Sequence, residues 1–121
     1  MRIFKNTWFN RFADKEGITD SELKKTVDQL EKGRIDAELG GNVYKMRVAR
    51  SGEGKSGGYR VIVFFRSEER VFFVYAFPKS GRDNIDQSEL RAFKADAKLN
   101  LSLTEEQVSD RIRKRTLIEV L

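Results

Sequence analysis

Two consecutive runs, Tyr59-Arg60-Val61-Ile62-Val63-Phe64-Phe65 and Val71-Phe72-Phe73-Val74-Tyr75-Ala76-Phe77, constrain this chain more than any other feature. Both are rich in β-branched and aromatic residues, the composition of strands. Neither alternates between apolar and polar, so neither has a face to offer water. Such strands lie at the centre of a sheet covered on both sides. The charged turn Arg66-Ser67-Glu68-Glu69-Arg70 joins them, and a link this short makes the pair antiparallel. Upstream, Val43-Tyr44-Lys45-Met46-Arg47-Val48 alternates cleanly, with Tyr44, Met46 and Val48 facing one way and Lys45 and Arg47 the other. The three strands form a meander. The start of strand 59–65 and the ends of its two neighbours meet at one edge of the sheet, which gathers Lys55, Arg60 and Lys79 at a rim with Arg47 near its border.

Helices flank this sheet on both sides in sequence. Residues 2–5 read as a short strand or an extended lead-in. Trp8, Phe9 and Phe12 then fall at helical spacing and are expected to form a core face. Gly17 ends that helix. Thr19 with Glu22 has the pattern of a capping box, after which Leu23, Val27 and Leu30 mark a buried stripe, and Gly33 closes the hairpin. A turn at Gly40-Gly41-Asn42 leads into the sheet. Beyond it, Asp86 with Glu89 and Thr104 with Gln107 predict two more helices, bearing Leu90, Phe93 and Ala97, then Val108 and Ile112. Leu117–Leu121 reads as a terminal strand or a docked tail. The order lacks β-α-β alternation, which predicts an α+β fold: a small antiparallel or mixed sheet with an N-terminal helical hairpin and C-terminal helices. At 121 residues the chain fits one domain, 1–121, in which 85–121 is a C-terminal helical extension.

Composition narrows the chemistry. There is neither cysteine nor histidine, which excludes thiolate zinc sites, Ser-His and Cys-His arrangements, and the usual general base at neutral pH. No metal site and no cofactor is expected. Any reaction has to run on Lys, Arg, Tyr, Asp or Glu. The start of the chain lacks an apolar run of signal-peptide length and nothing approaches a membrane span, so a cytoplasmic protein without membrane partners is expected.

The net charge of +5 is unevenly spread. Residues 43–82 hold Lys45, Arg47, Arg50, Lys55, Arg60, Arg66, Arg70, Lys79 and Arg82 against Glu53, Glu68 and Glu69, while both flanks are close to neutral. A basic block of this kind is the pattern of a polyanion-binding surface. Within it, Gly54-Lys55-Ser56 resembles the end of a nucleotide-binding P-loop. That reading fails on two counts: Ala49 stands where the first glycine belongs, and a strand follows instead of a helix.

The combination of Lys45-x-Arg47, Gly54-Lys55-x-Gly57-Gly58-x-Arg60 and Phe77-x-Lys79 resembles the RelE/HigB-type toxins of bacterial type II toxin–antitoxin systems, in particular their GKSGG-loop subgroup within the RelE/ParE superfamily. The likeness extends over most of the chain, including the helical hairpin and the "DNID" helix start. It implies a metal-independent endoribonuclease that enters the ribosomal A site and cuts mRNA there, inhibiting translation. It also implies a cognate antitoxin, expected to be a helix-turn-helix DNA-binding protein. In the family the ribose 2′-hydroxyl attacks the adjacent phosphate, leaving a 2′,3′-cyclic phosphate. Relatives on the same scaffold include ParE-like inhibitors that bind DNA gyrase, and a non-catalytic nucleic-acid-binding module would carry the same charge block, so fold alone leaves these alternatives open.

The residue chemistry can be laid beside that likeness. In-line attack needs a base, a proton donor for the leaving oxygen and stabilisation of the charged phosphorane. Arginine offers a planar, permanently charged fork, which makes Arg47 and Arg60 candidates for transition-state stabilisation. A lysine among other cations gives up its proton more readily, because like charge disfavours the protonated form. Lys45, Lys55 and Lys79 are therefore the candidates for proton transfer, with Lys55 and Lys79 nearest the scissile phosphate and base not assigned against acid. Arg50, Gly57, Gly58, Tyr59 and Arg82 are expected to contact RNA, Tyr59 by stacking and the glycines by letting the backbone approach closely. Tyr75 is expected to be a core aromatic. After the sheet the chain departs from several RelE-type enzymes, running on for about forty residues to Arg111, Arg113, Lys114 and Arg115. These are read as a solvated helix face, with contact to ribosomal RNA as the alternative.

Overall fold

A computed structural model describes residues 1–50, 54–82 and 84–121, and of residue 50 and residues 54–57 the backbone alone. In chain order the elements are β1 (Arg2–Asn6), α1 (Thr7–Glu16), α2 (Asp20–Glu31), β2 (Ala37–Gly40), β3 (Val43–Arg50), β4 (Gly54–Arg66), β5 (Arg70–Pro78), α3 (Gln87–Leu101), α4 (Glu105–Arg113) and β6 (Leu117–Val120). The strands form one six-stranded sheet in the order β2-β3-β4-β5-β1-β6. Every neighbouring pair is antiparallel except β1 and β5, which are parallel. The fold is therefore α+β with a mixed sheet, as the sequence predicts.

The helices end where their sequence says they should. Asn6 caps α1 through its side chain, and Gly17 closes it in the left-handed conformation at φ +74°. Thr19 with Glu22, Asp86 with Glu89, and Thr104 with Gln107 each make a reciprocal capping box. At the β2–β3 turn Gly41 sits at φ +60°, and a Cβ there would come within 3.1 Å of Lys94 Cγ on α3. A glycine lets the turn pass under that helix.

The covered faces of the sheet follow from β4. Tyr59, Val61 and Val63 join Phe9, Leu23, Val27 and Leu30 of α1 and α2 in one core. Ile62 and Phe64 join Phe4, Phe72, Ala97, Leu101 and Val108 in the other, under α3 and α4. Burial on both faces, near-complete apart from the partly exposed Phe65 and Tyr75, is what two-sided apolar runs require. One residue breaks the pairing: Ile62 lies opposite Tyr75 but Val63 lies opposite Phe73, so Val74 is an extra residue in β5. This bulge shifts the alternation, and Val74 and Tyr75 both pack towards the α3 core. Phe77 consequently shares a face with its partner Arg60.

Two features differ from the sequence-based expectation. Trp8 is 44% exposed rather than buried; it stacks on Phe12 at 5.2 Å and on Tyr75 at 4.7 Å, lying over β5 where β1 has already ended. A short strand, β2, lines the outer edge of β3 at Val43–Lys45. Of the two readings of the chain's end, the structure takes the terminal strand: β6 pairs with β1 from Ile3 to Asn6 and buries Leu117 and Val120 in opposite cores. Among the described residues, no helix is long and apolar enough to cross a membrane.

Loss of β6 should therefore be costly. Burying Leu117 and Val120 is worth roughly 1.5–3 kcal/mol each, so deletion of residues 117–121 is predicted to lower unfolding stability by on the order of 3–6 kcal/mol, measured by urea denaturation. An unchanged urea midpoint would mean that the strand contributes only a surface contact.

Candidate active site

Arg60 poses a physical problem at its position in the sheet. It lies in a central strand, one residue from Tyr59 and Val61 and opposite Arg47 on β3 and Phe77 on β5. Its side chain is only 8% exposed. A buried guanidinium needs a counter-charge, and Asp36, just before β2, provides it. The Asp36 amide donates to the Lys45 carbonyl oxygen at 3.0 Å, anchoring the residue beside β3. Its carboxylate then meets three cations. Arg47 Nε donates to Oδ1 at 2.9 Å, while Oδ2 lies 3.2 Å from Arg60 Nε and 3.5 Å from Lys45 Nζ. Three positive charges on one carboxylate leave a formal +2 at this spot.

The members differ in their freedom. Asp36 and Lys45 side chains are each 12% exposed, whereas Arg47 is 48% exposed. Beyond Lys45 the outer edge of β3 has no strand partner among the described residues, and Arg47 projects from that open edge. It helps line an open depression with Gln29, Arg34, Ile35, Asp36 and Met46. Arg60 Nη1 is buried and finds no hydrogen-bond acceptor among the described residues. An orphaned buried donor costs about 1–3 kcal/mol, which sets this nitrogen apart from the other buried polar side-chain atoms of the described residues.

Burial acts to raise the Asp36 pKa, but the Arg47 hydrogen bond and the charges of Arg60, Lys45 and Arg47 outweigh it and hold the carboxyl below its ordinary value. Asp36 is thus an anion over the whole physiological range.

The remaining predicted residues are distributed around this cluster. The Lys79 amide donates to the Gly58 carbonyl oxygen at 3.2 Å, tying the loop after β5 to the strand that carries Arg60. Lys79 itself is exposed and Gly58 buried. Arg82 lies over the Phe77 ring at 5.3 Å and makes a bidentate ion pair with Glu89. It is held against α3 by that pair. Tyr59 does not offer a stacking surface. Its ring is 1% exposed on the α1/α2 face, opposite to Arg60, and its hydroxyl donates to Glu16 at 2.6 Å. The side chains of Arg50 and Lys55 and the surroundings of Gly57 lie outside the described residues, as do Gly52 and Glu53.

The basic block of the sequence does not form one patch. Arg66 and Arg70 sit at the far end of the β4–β5 hairpin, where they pair with Glu69 and Glu105 and donate to the Leu101 and Leu103 carbonyls. They secure α3 and α4 to the sheet. At the end of α4, Arg113 and the capping residue Lys114 both pair with Asp110. Asp36 was missed by sequence reading because it lies in a segment of zero net charge; only the β2–β3 pairing brings it next to Lys45.

A folded-state pKa below the unfolded one makes the direction of the acid effect definite. The stability that Asp36 contributes is present above its unfolded value, near 3.9, and is lost as pH falls through the folded value. Wild type and Asp36→Asn should therefore differ most near neutral pH and converge in acid, as read from urea midpoints at descending pH. Parallel curves would show that the carboxylate is not coupled to the cations.

A family model described as the RelE toxin of the RelE/RelB toxin–antitoxin system matches residues 1–120. The match runs from β1 through the whole of β6 and so includes both C-terminal helices as well as the cationic cluster. Its members are the toxin half of a pair whose other half is a cognate antitoxin. The chain belongs to the RelE toxin family.

Proposed function

We propose that this toxin is a ribosome-dependent endoribonuclease that cleaves mRNA during translation. The observation that carries the reading is Arg60: a buried guanidinium whose Nη1 has no acceptor among the described residues, flanked by Lys45 and Arg47 in a cluster of net positive charge. Permanently charged forks are suited to a phosphorane, whose extra negative charge develops only in the transition state.

In this account the 2′-oxygen attacks phosphorus, its proton passes to a base, and the P–O5′ bond breaks as an acid protonates the leaving oxygen. The products are a 2′,3′-cyclic phosphate and a 5′-hydroxyl. Arg60 and Arg47 stabilise the phosphorane oxygens. Lys45, Lys55 and Lys79 are the candidates for proton transfer. Arg50, Gly57, Gly58 and Arg82 are assigned to the path of the RNA backbone, with Arg82 first leaving or sharing Glu89. The chemistry asks for no metal or cofactor. A helix-turn-helix antitoxin would silence the toxin in the cytoplasm, where its ribosomes are.

The test adds purified protein to a reconstituted translation reaction with end-labelled mRNA, with and without ribosomes. Cuts are expected only on translated message, with cyclic phosphate ends. Arg60→Ala should slow cutting by about 100-fold or more, the usual cost of removing one transition-state donor, and Lys55→Ala and Lys79→Ala should also impair it. Intact mRNA under both conditions would refute the nuclease reading.

A further inference from the structure

Both arginines of the cluster meet Asp36 through the same atom. Arg47 and Arg60 each turn Nε towards the carboxylate, at 2.9 and 3.2 Å. A guanidinium engaged at Nε keeps its terminal nitrogens for another partner. For Arg60 that expectation is met by a specific atom, Nη1, which is buried and has no acceptor among the described residues. For Arg47, no hydrogen bond of a terminal nitrogen is found among the described residues. Lys45, on the same strand face as Arg47, closes the third side of the carboxylate.

Asp36 is itself fixed. Its amide bond to the Lys45 carbonyl and its low exposure leave the carboxylate little room to move. A carboxylate in this place opposes RNA binding electrostatically, since it cancels one positive charge beside an incoming phosphate. It would be a poor choice for affinity alone. Its geometry instead restricts how the two arginines can rotate, which matters for a reaction that needs donors preorganised around a developing charge.

We propose that Asp36 is a positioning residue: it holds Arg47 and Arg60 by their Nε edges, with Lys45 alongside, so that their terminal nitrogens present a preset fork to the scissile phosphate. This rests on the nuclease reading above. Asp36 touches neither substrate nor reacting atoms. It lowers affinity for RNA while raising the rate of the chemical step.

That opposition distinguishes positioning from a merely structural role. In the reconstituted translation reaction, Asp36→Asn should slow cleavage about 10-fold or more, since misplaced catalytic groups cost on this order. For an RNA oligonucleotide made uncleavable by 2′-deoxy substitution, the same variant should bind more tightly, with a steeper salt dependence. Asp110→Asn, which also removes one negative charge but at an exposed pair on α4, should cleave like wild type. Cleavage by Asp36→Asn at the wild-type rate would overturn the proposal, and so would slower cleavage accompanied by weaker binding. Should Asp36→Asn fail to fold, Asp36→Glu decides: it keeps the charge but displaces it by one methylene, so the rate should fall with affinity unchanged, and a wild-type rate would overturn the proposal. A wild-type protein that does not cut at all would refute the nuclease reading and this inference with it. Wild-type cutting matched by Asp36→Asn would refute this inference alone.

Discussion

A guanidinium in the middle strand of a sheet covered on both faces is tolerable only if an anion comes to it. Arg60 creates that demand and Asp36 meets it, and much of the architecture at this end of the molecule serves the meeting. The short strand β2 has few contacts of its own, yet it fixes Asp36 against Lys45. The open edge of β3 beyond that point leaves Arg47 half in solvent. A bulge at Val74 brings Phe77 onto the face of Arg60, and the Gly58–Lys79 backbone bond ties the neighbouring loop to the same strand. Replacing Asp36 by an apolar residue would leave the guanidinium's charge less compensated where it is costly to bury.

The two ends of the β4–β5 hairpin use the same residue type for different purposes. At the turn, Arg70 is buried and both its terminal nitrogens are engaged, one donating to the Leu103 carbonyl and the other to Glu105, while Arg2 reaches Glu105 and Glu119. Those contacts join β1, β5, α4 and β6. At the other end, Arg60 is equally buried, but its Nη1 has no acceptor among the described residues. A buried donor left without an acceptor calls for an explanation, and the proposed RNA-binding role supplies one for Arg60.

Much of the fold was legible because local signals were unambiguous. Three capping boxes gave helix starts at Asp20, Gln87 and Glu105, and Gly17 gave a helix end. The two-sided apolar runs gave the central strands. Less legible were features that depend on partners distant in sequence. Ile3 and Val120 pair across almost the whole chain, which no local pattern announces. In β5 an extra residue does not disturb a run that is apolar on both faces, so the bulge at Val74 left no trace in the sequence. Trp8 has helical spacing relative to Phe12 but sits where β1 has ended, and its ring covers Tyr75 from the solvent side. For the site, charge counting found the cations but not the carboxylate that organises them. Tyr59, expected to stack on RNA, is buried because the strand's alternation sends it to the core on the face opposite Arg60.

The central claim is that the cluster around Asp36 receives an RNA phosphate. Nuclear magnetic resonance of protein labelled with 15N at arginine side chains, titrated with an RNA oligonucleotide carrying a 2′-deoxy nucleotide at the scissile position, tests it most directly. The account predicts that the Arg60 and Arg47 guanidinium signals shift together and saturably, while Arg70, engaged at the far end of the hairpin, stays in place. Shifts confined to Arg111, Arg113 and Arg115, with Arg60 unmoved, would contradict it.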